Sequence, residues 1–214
     1  MKTVSHWTPR YLYHRVGRYC FEKRHPHAPN LAIGATQFLE GWLKKTDVIL
    51  EYGSGRSTGW FAQRVHKIIS IENNPLWYEK VRVETATRVN VELCLFESDG
   101  KDKERDVPGC GVSWGYVNKT EDFPPGTFDC IFNDGWARAY VGIRALSLLK
   151  RGGILIWDDW AWSFPSSARI PIAIPPDGVI KDKTSSEFFA LVKGWRYIVF
   201  EDGVHSTAIF FKPA

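Results

Sequence analysis

The sequence predicts an open, mostly parallel α/β sheet with helices on both faces and an antiparallel strand pair at its C-terminal end. Three observations carry that prediction. Short, nearly continuous apolar runs recur over 47–52, 67–71, 91–96, 129–133 and 154–157, as expected of strands buried on both faces. Segments of helical period separate most of these runs, the alternation of an α/β sheet. The last two apolar runs, 195–200 and 206–211, are joined only by Glu201-Asp202-Gly203-Val204-His205, too short a connection for a crossover, so that pair is antiparallel.

Each element follows in order. Residues 1–30 form a basic, aromatic leader of helical character, and 31–214 form the α/β domain. The formal charge of +4 over 214 residues sits in the leader: Lys2, Arg10, Arg15, Arg18, Lys23 and Arg24 against Glu22 give +5, leaving −1 for the remainder. Tyr11, Tyr13, Tyr19 and Phe21 interleave with these bases. That mixture suits RNA, an anionic membrane or an acidic acceptor, and a packed helix with a solvated basic face explains it more simply. The neutral body argues against nucleic acid as a partner. From Leu31, the positions Leu31, Ala35, Phe38, Leu39, Trp42 and Leu43 trace one helical stripe ending at Lys44 and Lys45, bases set against the negative helix end. The first strand breaks at a Gly/Ser cluster. A helix over about 57–65 and the second strand come next, then a helix with Asn74 as N-cap and Pro75 in its first turn, running to about Arg88. Beyond the third strand, 97–127 is rich in Gly, Pro and charge, an irregular or partly helical excursion over the sheet edge. A strand over 129–133 leads to a helix over 137–150 with Val141, Ala145, Leu148 and Leu149 inward and Gly152-Gly153 as its stop. After the 154–157 strand, a Pro-rich segment over 161–182 and a helix from about Ser185 lead into the final strand pair.

With 24% charged and 44% hydrophobic residues the chain is one globular domain, which excludes disordered, collagenous and small disulfide-scaffold classes. No apolar run approaches the roughly 18 residues that would span a bilayer. The start lacks the pattern of a secretory signal, so the expectation is a soluble, cytoplasmic protein. Cys20, Cys94, Cys110 and Cys130 form no C-x-x-C pair, which speaks against a zinc or disulfide role.

The most informative stretch is Glu51-Tyr52-Gly53-Ser54-Gly55-Arg56-Ser57-Thr58-Gly59, where a buried strand turns into a helix. Glycines there let the backbone approach a ligand closely, and no Gly-Lys-Ser/Thr follows, so this is not a P-loop. Glu72, followed by Asn73, ends the second strand, where an acid binds ribose hydroxyls. Glu51 at the loop entrance repels a pyrophosphate and suits a ligand with an amino group and a sulfonium charge, which points from dinucleotides towards S-adenosylmethionine. At each position a turn or a helix cap explains one residue as well; their joint placement on one sheet edge is what such explanations miss.

On these residues the sequence resembles the Rossmann-like class I S-adenosylmethionine-dependent methyltransferases over roughly 31–214. Glu51-x-Gly53-x-Gly55 matches the family's first motif and Glu72 its second; the Glu97-Ser98-Asp99 segment lies where the family contacts adenine, and Asp134 in Phe132-Asn133-Asp134-Gly135 matches the fourth motif. Arg56-Ser57 departs from the third glycine of many members. The resemblance implies cofactor contacts from Glu51, Tyr52, Gly53, Ser54, Gly55, Ser57, Thr58, Glu72, Asn73, Asp99 and Asp134. It implies methyl transfer to a small or glycan-like acceptor at oxygen, with Asp134 as the catalytic centre.

Asp134 and the pair Asp158-Asp159 fall at adjacent strand tips, and three uncompensated carboxylates so close call for a hard cation such as Mg²⁺. The arrangement is similar to that of catechol- and macrocin-type O-methyltransferases, which implies Asp134, Asp158 and Asp159 as metal ligands. The competing reading pairs Arg138 with these aspartates. Trp136, Trp160 and Trp162 suggest an aromatic-walled acceptor site with 161–182 as a lid, whereas Trp77 reads as a core residue or as a stacking partner for adenine. Two rival functions stand beside this one. Gly53-x-Gly55-x-x-x-Gly59 with Arg56 also suits an NADP-dependent oxidoreductase, and a non-catalytic methyltransferase-fold binding module fits the basic leader.

Overall fold

A computed structural model describes residues 8–97, 105–171 and 173–214. Helix α1 (Pro9–Arg24) opens on Thr8, whose side chain accepts from the Tyr11 N–H, and has a proline in its first turn. Then follow α2 (Ile33–Trp42), β1 (Val48–Tyr52), α3 (Arg56–Ala62), β2 (Lys67–Glu72), α4 (Pro75–Glu84) and β3 (Val91–Leu95). As the sequence predicts, Asn74 caps α4 by accepting from Trp77 N–H. The excursion after β3 contains a short helix α5 (Trp114–Asn118) and a 3-10 turn, before β4 (Phe128–Asn133), α6 (Arg138–Ala145), β5 (Leu149–Asp158), the single turn α7 (Trp160–Ser163), α8 (Lys183–Val192), β6 (Arg196–Glu201) and β7 (Ser206–Phe211).

The strands form one 7-stranded sheet in the order β3-β2-β1-β4-β5-β7-β6. The pairings from β3 through β5 are parallel, and β7 runs antiparallel to both β5 and β6. The strand order winds outward in opposite directions from β1 and from β4, so the connections leaving the carboxyl ends of these parallel neighbours diverge and open a crevice, the place where open α/β sheets bind ligands. Side-chain alternation divides the core in two. Ile49, Cys130, Phe132, Ile154 and Ile156 pack against α2 and α3 around Leu39, Trp60 and Phe61. Leu50, Tyr52, Ile131, Leu155 and Trp157 pack on the other face, against Tyr116, Val141 and Phe188 from α5, α6 and α8.

One expected boundary moves. Gly152 and Gly153 do not stop a helix: α6 ends at Ala145, and the two glycines lie inside β5. The register against β4 jumps from Phe128↔Leu149 to Cys130↔Ile154. Gly152 takes φ +74, and a Cβ on Gly153 would stand 2.7 Å from the Asp129 carbonyl oxygen. A bulge with close backbone approach has the same residue signature as a helix stop. The long helix expected to reach Arg88 likewise ends at Glu84.

The leader helix is fastened through one buried side chain. Arg18 is 3% exposed; its guanidinium donates to Glu22 at 2.9 Å, Asp202 at 3.3 Å, Asn30 at 3.1 Å and the Leu31 carbonyl. Truncation removes the cationic partner of Asp202 and strands the Leu31 carbonyl. Arg18→Ala is expected to cost about 3 kcal/mol and to open α1 to protease. Urea unfolding and limited proteolysis check this; an unchanged midpoint with α1 still protected would sink it.

Candidate cofactor and acceptor site

Glu51 ends β1 with its carboxylate on the α3 side, fully buried. Ser57 Oγ donates to it at 2.5 Å, Thr58 Oγ1 at 2.6 Å, and Ser70 Oγ donates as well. Burial dominates those hydroxyls and pushes the carboxyl up to about 7. The same contacts tie β1, β2 and the start of α3 together, so the glycine loop between Glu51 and Ser57 is held at both ends. Gly53 lies at φ +90, and a Cβ there would stand 2.9 Å from both the Asp134 carbonyl carbon and the Gly135 nitrogen. Two backbone bonds set this approach, Gly53 N–H to Ile71 O and Asp134 N–H to Tyr52 O, each 2.9 Å. Gly135 is equally confined, because a Cβ on it would collide with the Tyr116 hydroxyl.

Above this loop opens a cleft of about 530 Å³ lined by Gly53, Ser54, Gly55, Ser57, Glu72, Asn73 and Asp134, with Asn30, Arg56 and Trp77 at its sides. Glu72 is organised by backbone: Oε2 accepts from Ser54 N–H at 3.0 Å, and Oε1 from Asn73 and Asn74 N–H at 2.9 and 2.8 Å. Trp77 stands 41% exposed at the cleft with its indole N–H donating to the Ser54 carbonyl, so it belongs to the wall and not to the core. Of the residues the sequence singles out, Glu51, Tyr52 and Thr58 lie beneath the floor with no exposed surface. Tyr52 packs edge-on against Tyr116 at 5.1 Å. Asp99 lies outside the described residues.

A second cavity, of about 660 Å³, adjoins the first and shares Asp134, Gly135 and Trp136 with it. Arg138 separates the carboxylates behind that shared wall. It donates to Asp134 Oδ1 at 2.9 Å, to Asp159 Oδ2 at 3.2 Å and to the Asp158 carbonyl at 2.7 Å. The residues on both sides of this clamp, Ala137 at φ 53 and Asp159 at φ 51, are the non-glycine residues with positive φ among those described. Such a conformation costs of order 1 kcal/mol for a side chain with a Cβ and holds only where the surroundings enforce it. Burial pushes Asp134 up to about 6, with Arg138 pulling the other way and Asp159 and Glu72 adding to the rise. Asp158 is raised well above the carboxylate range by burial and by the neighbouring Asp134 and Asp159, against the Arg138 charge and the Thr207 hydroxyl, which donates to it at 2.8 Å.

The three aspartates therefore do not fit a shared hard cation, because a guanidinium already stands among them. Among the described residues, the set of three ligating side chains within 4.8 Å of one another is Asp158, Asp159 and His205, and Asp134 is not in it. The pairing of Arg138 with Asp134 is what the sequence offered as the alternative. Of the three tryptophans, Trp136 and Trp162 line the second cavity. Trp160 is buried instead and stacks on Phe164 at 3.9 Å. Lys181 falls in the 161–182 segment expected to cover the acceptor site, whereas nothing in the sequence marks Asn30, from a connection, or Lys183, at the start of α8, as lining residues.

No protein-family model matches the chain, and no curated protein matches it. Solved structures share its fold. A methyltransferase from Geobacter sulfurreducens aligns with a TM-score of 0.54 at 12% identity, over 94% of this chain and 89% of its own. The Streptococcus mutans protein SMU.1697c, solved with S-adenosylhomocysteine, gives 0.53 at 12% identity, over 82% and 94%. Aeropyrum pernix fibrillarin, solved with natively bound S-adenosylmethionine, gives 0.50 at 17% identity, over 78% and 67%. The seven-stranded sheet with its antiparallel C-terminal pair is thus the Rossmann-like fold of S-adenosylmethionine-dependent methyltransferases.

Two predictions follow from the buried floor. Gly53→Ala is expected to lose about 1–3 kcal/mol in thermal unfolding. Gly59→Ala, where a Cβ meets nothing within 4 Å, is the neutral control, and equal stability of the two variants contradicts the loop geometry. Glu51 takes up its proton more readily folded than unfolded, so its contribution favours the native state at acid pH and is lost as pH rises from 4.5 through about 7. Unfolding free energy should fall by up to about 1.4 kcal/mol per pH unit across that window, and Glu51→Gln should flatten this part of the slope. An unaltered slope in the variant excludes Glu51 as its source.

Proposed function

We propose that this chain is a methyltransferase that uses S-adenosylmethionine to methylate an oxygen of a small or glycan-like acceptor. The observation that carries the reading is the pair of cavities meeting at Asp134-Gly135-Trp136: a cofactor in one and an acceptor in the other touch only there. The cleft has the size of a cofactor site, and its donor set fits the group the fold implies. Glu72 keeps one lone pair of Oε2 free for a ribose hydroxyl, Gly53-Ser54-Gly55 gives backbone for the amino-acid end, and Trp77 offers a ring for the base. When bound, S-adenosylmethionine supplies a sulfonium-activated methyl group whose C–S bond breaks as the new C–O bond forms.

The chain's own part is positioning and proton removal. Arg138 holds Asp134 Oδ1, while Oδ2 accepts no hydrogen bond from the described residues. A carboxyl raised to about 6 is a competent acceptor for a hydroxyl proton near neutral pH. Trp136 stands over the junction and fixes the acceptor in line. No metal step enters this account, because Arg138 carries the positive charge at the strand tips. No helix among the described residues is long and apolar enough to cross a membrane.

Isothermal calorimetry tests the reading. S-adenosylhomocysteine is expected to bind saturably, NADP not at all, and Glu72→Gln to weaken binding at least tenfold, about the worth of a charged hydrogen bond. EDTA should leave the affinity unchanged. Binding of NADP alone favours the oxidoreductase; binding of neither ligand favours a non-catalytic module.

A further inference from the structure

The second cavity has features that methyl transfer as such does not require. Trp136 and Trp162 line it with 60% and 46% of their surface exposed, and Tyr140 adds a third ring. Large indoles left open beside a cavity offer flat apolar faces to a ring-shaped ligand. Lys181 and Lys183 also line it, and among the described residues Lys181 has no carboxylate partner. Lys181 Nζ lies 3.9 Å over the Trp162 ring, while Lys183 Nζ is 3.7 Å from Glu187 with its side chain 91% exposed. Asp134, Asp182 and Arg138 also face the cavity, and with Lys181 and Lys183 its lining carries one net positive charge. Asp182 accepts from the Ser185 N–H at 2.7 Å and its hydroxyl at 3.0 Å, capping α8, and Asp134 is paired with Arg138 at 2.9 Å. The cavity therefore combines stacking faces with two ammonium groups, Lys181 without a carboxylate partner among the described residues and Lys183 with a solvent-exposed one.

We infer that the acceptor is a hydroxylated six-membered ring bearing an anionic substituent: its flat face lies on Trp136 and Trp162, and its charge meets Lys181 and Lys183. The inference rests on the methyl-transfer reading for the word acceptor, and on the cavity alone for the ligand chemistry. A phenolic acid and a uronic acid both present this chemistry.

The test uses paired probes that differ only in charge, 4-hydroxybenzoate against 4-hydroxybenzamide and glucuronate against glucuronamide, titrated into the full chain with and without S-adenosylhomocysteine. The acid of at least one pair is expected to bind about tenfold tighter than its amide, and the pair that binds identifies the source. In Lys181→Met/Lys183→Met the acid loses this preference while affinity for S-adenosylhomocysteine stays the same. Trp162→Ala weakens acid and amide alike and leaves their ratio. Circular dichroism confirms that these surface variants stay folded. Equal binding of acid and amide, a preference that survives the double lysine variant, or no binding of any probe overturns the inference. Acid preference without any binding of S-adenosylhomocysteine keeps the cavity's ligand chemistry and overturns methyl transfer instead.

Discussion

A carboxylate with no access to water, Glu51, is the constraint on which the site depends. Hydroxyls from Ser57, Thr58 and Ser70 surround it, and a buried charge of this kind is tolerable only with such partners or as the neutral acid. Because the donors come from β2 and from the first turn of α3, satisfying Glu51 fixes where the sheet ends and where the helix begins. The glycine loop has no freedom left between those points. Gly53 then meets the Asp134-Gly135 peptide at a distance that admits no Cβ, so the tips of β1 and β4 are set against each other through backbone alone. Glu72 completes the frame by gathering three N–H groups from two loops. The cleft above is therefore shaped before any ligand arrives, the condition under which positioned groups cost least to use.

Arg138 performs the corresponding task at β4 and β5. One guanidinium answers side chains or carbonyls of Asp134, Asp158 and Asp159, and the unusual backbone at Ala137 and Asp159 brings them within its reach. A lysine in that position has one ammonium group with which to replace a planar fork. The clamp also makes electrical sense of the strand tips: an acidic cluster that looks uncompensated in the sequence is partly compensated from within, Arg138 pairing with Asp134 and Asp159.

Much of the fold was legible because it rests on local rules. The strand runs, Asn74 and Pro75 at the head of α4, and the short link between β6 and β7 say what they form without help from the rest of the chain. Gly152-Gly153 misled because a bulge and a helix stop use the same residue. In the site, Glu72, Asn73, Asp134 and the glycines stand in the cleft. Glu51, Tyr52 and Thr58 belong to the right segment but are buried: Glu51 and Tyr52 face opposite sides of a sheet covered on both, and Thr58 turns inward through the rotation of α3, which motif spacing does not encode. Trp160 and Trp162 differ in the same way, two positions apart and on opposite sides of one turn. Lys183 and Asn30 were invisible because the fold brings them to the site from far along the chain, whereas Lys181 belongs to the 161–182 segment expected there.

The buried Arg18 joins the leader helix to the cofactor cleft and to the turn between β6 and β7. It holds Asn30, which lines the cofactor cleft, and Asp202, which through its other oxygen accepts from the Val204 and His205 N–H groups in the turn between β6 and β7. Docking of α1 and occupancy of the cleft are thereby thermodynamically linked. A ligand that engages Asn30 tightens the grip on the leader, and by reciprocity anything that draws the leader away weakens the ligand by the same factor. The basic segment is thus anchored beside the cleft through the same side chain that holds Asn30.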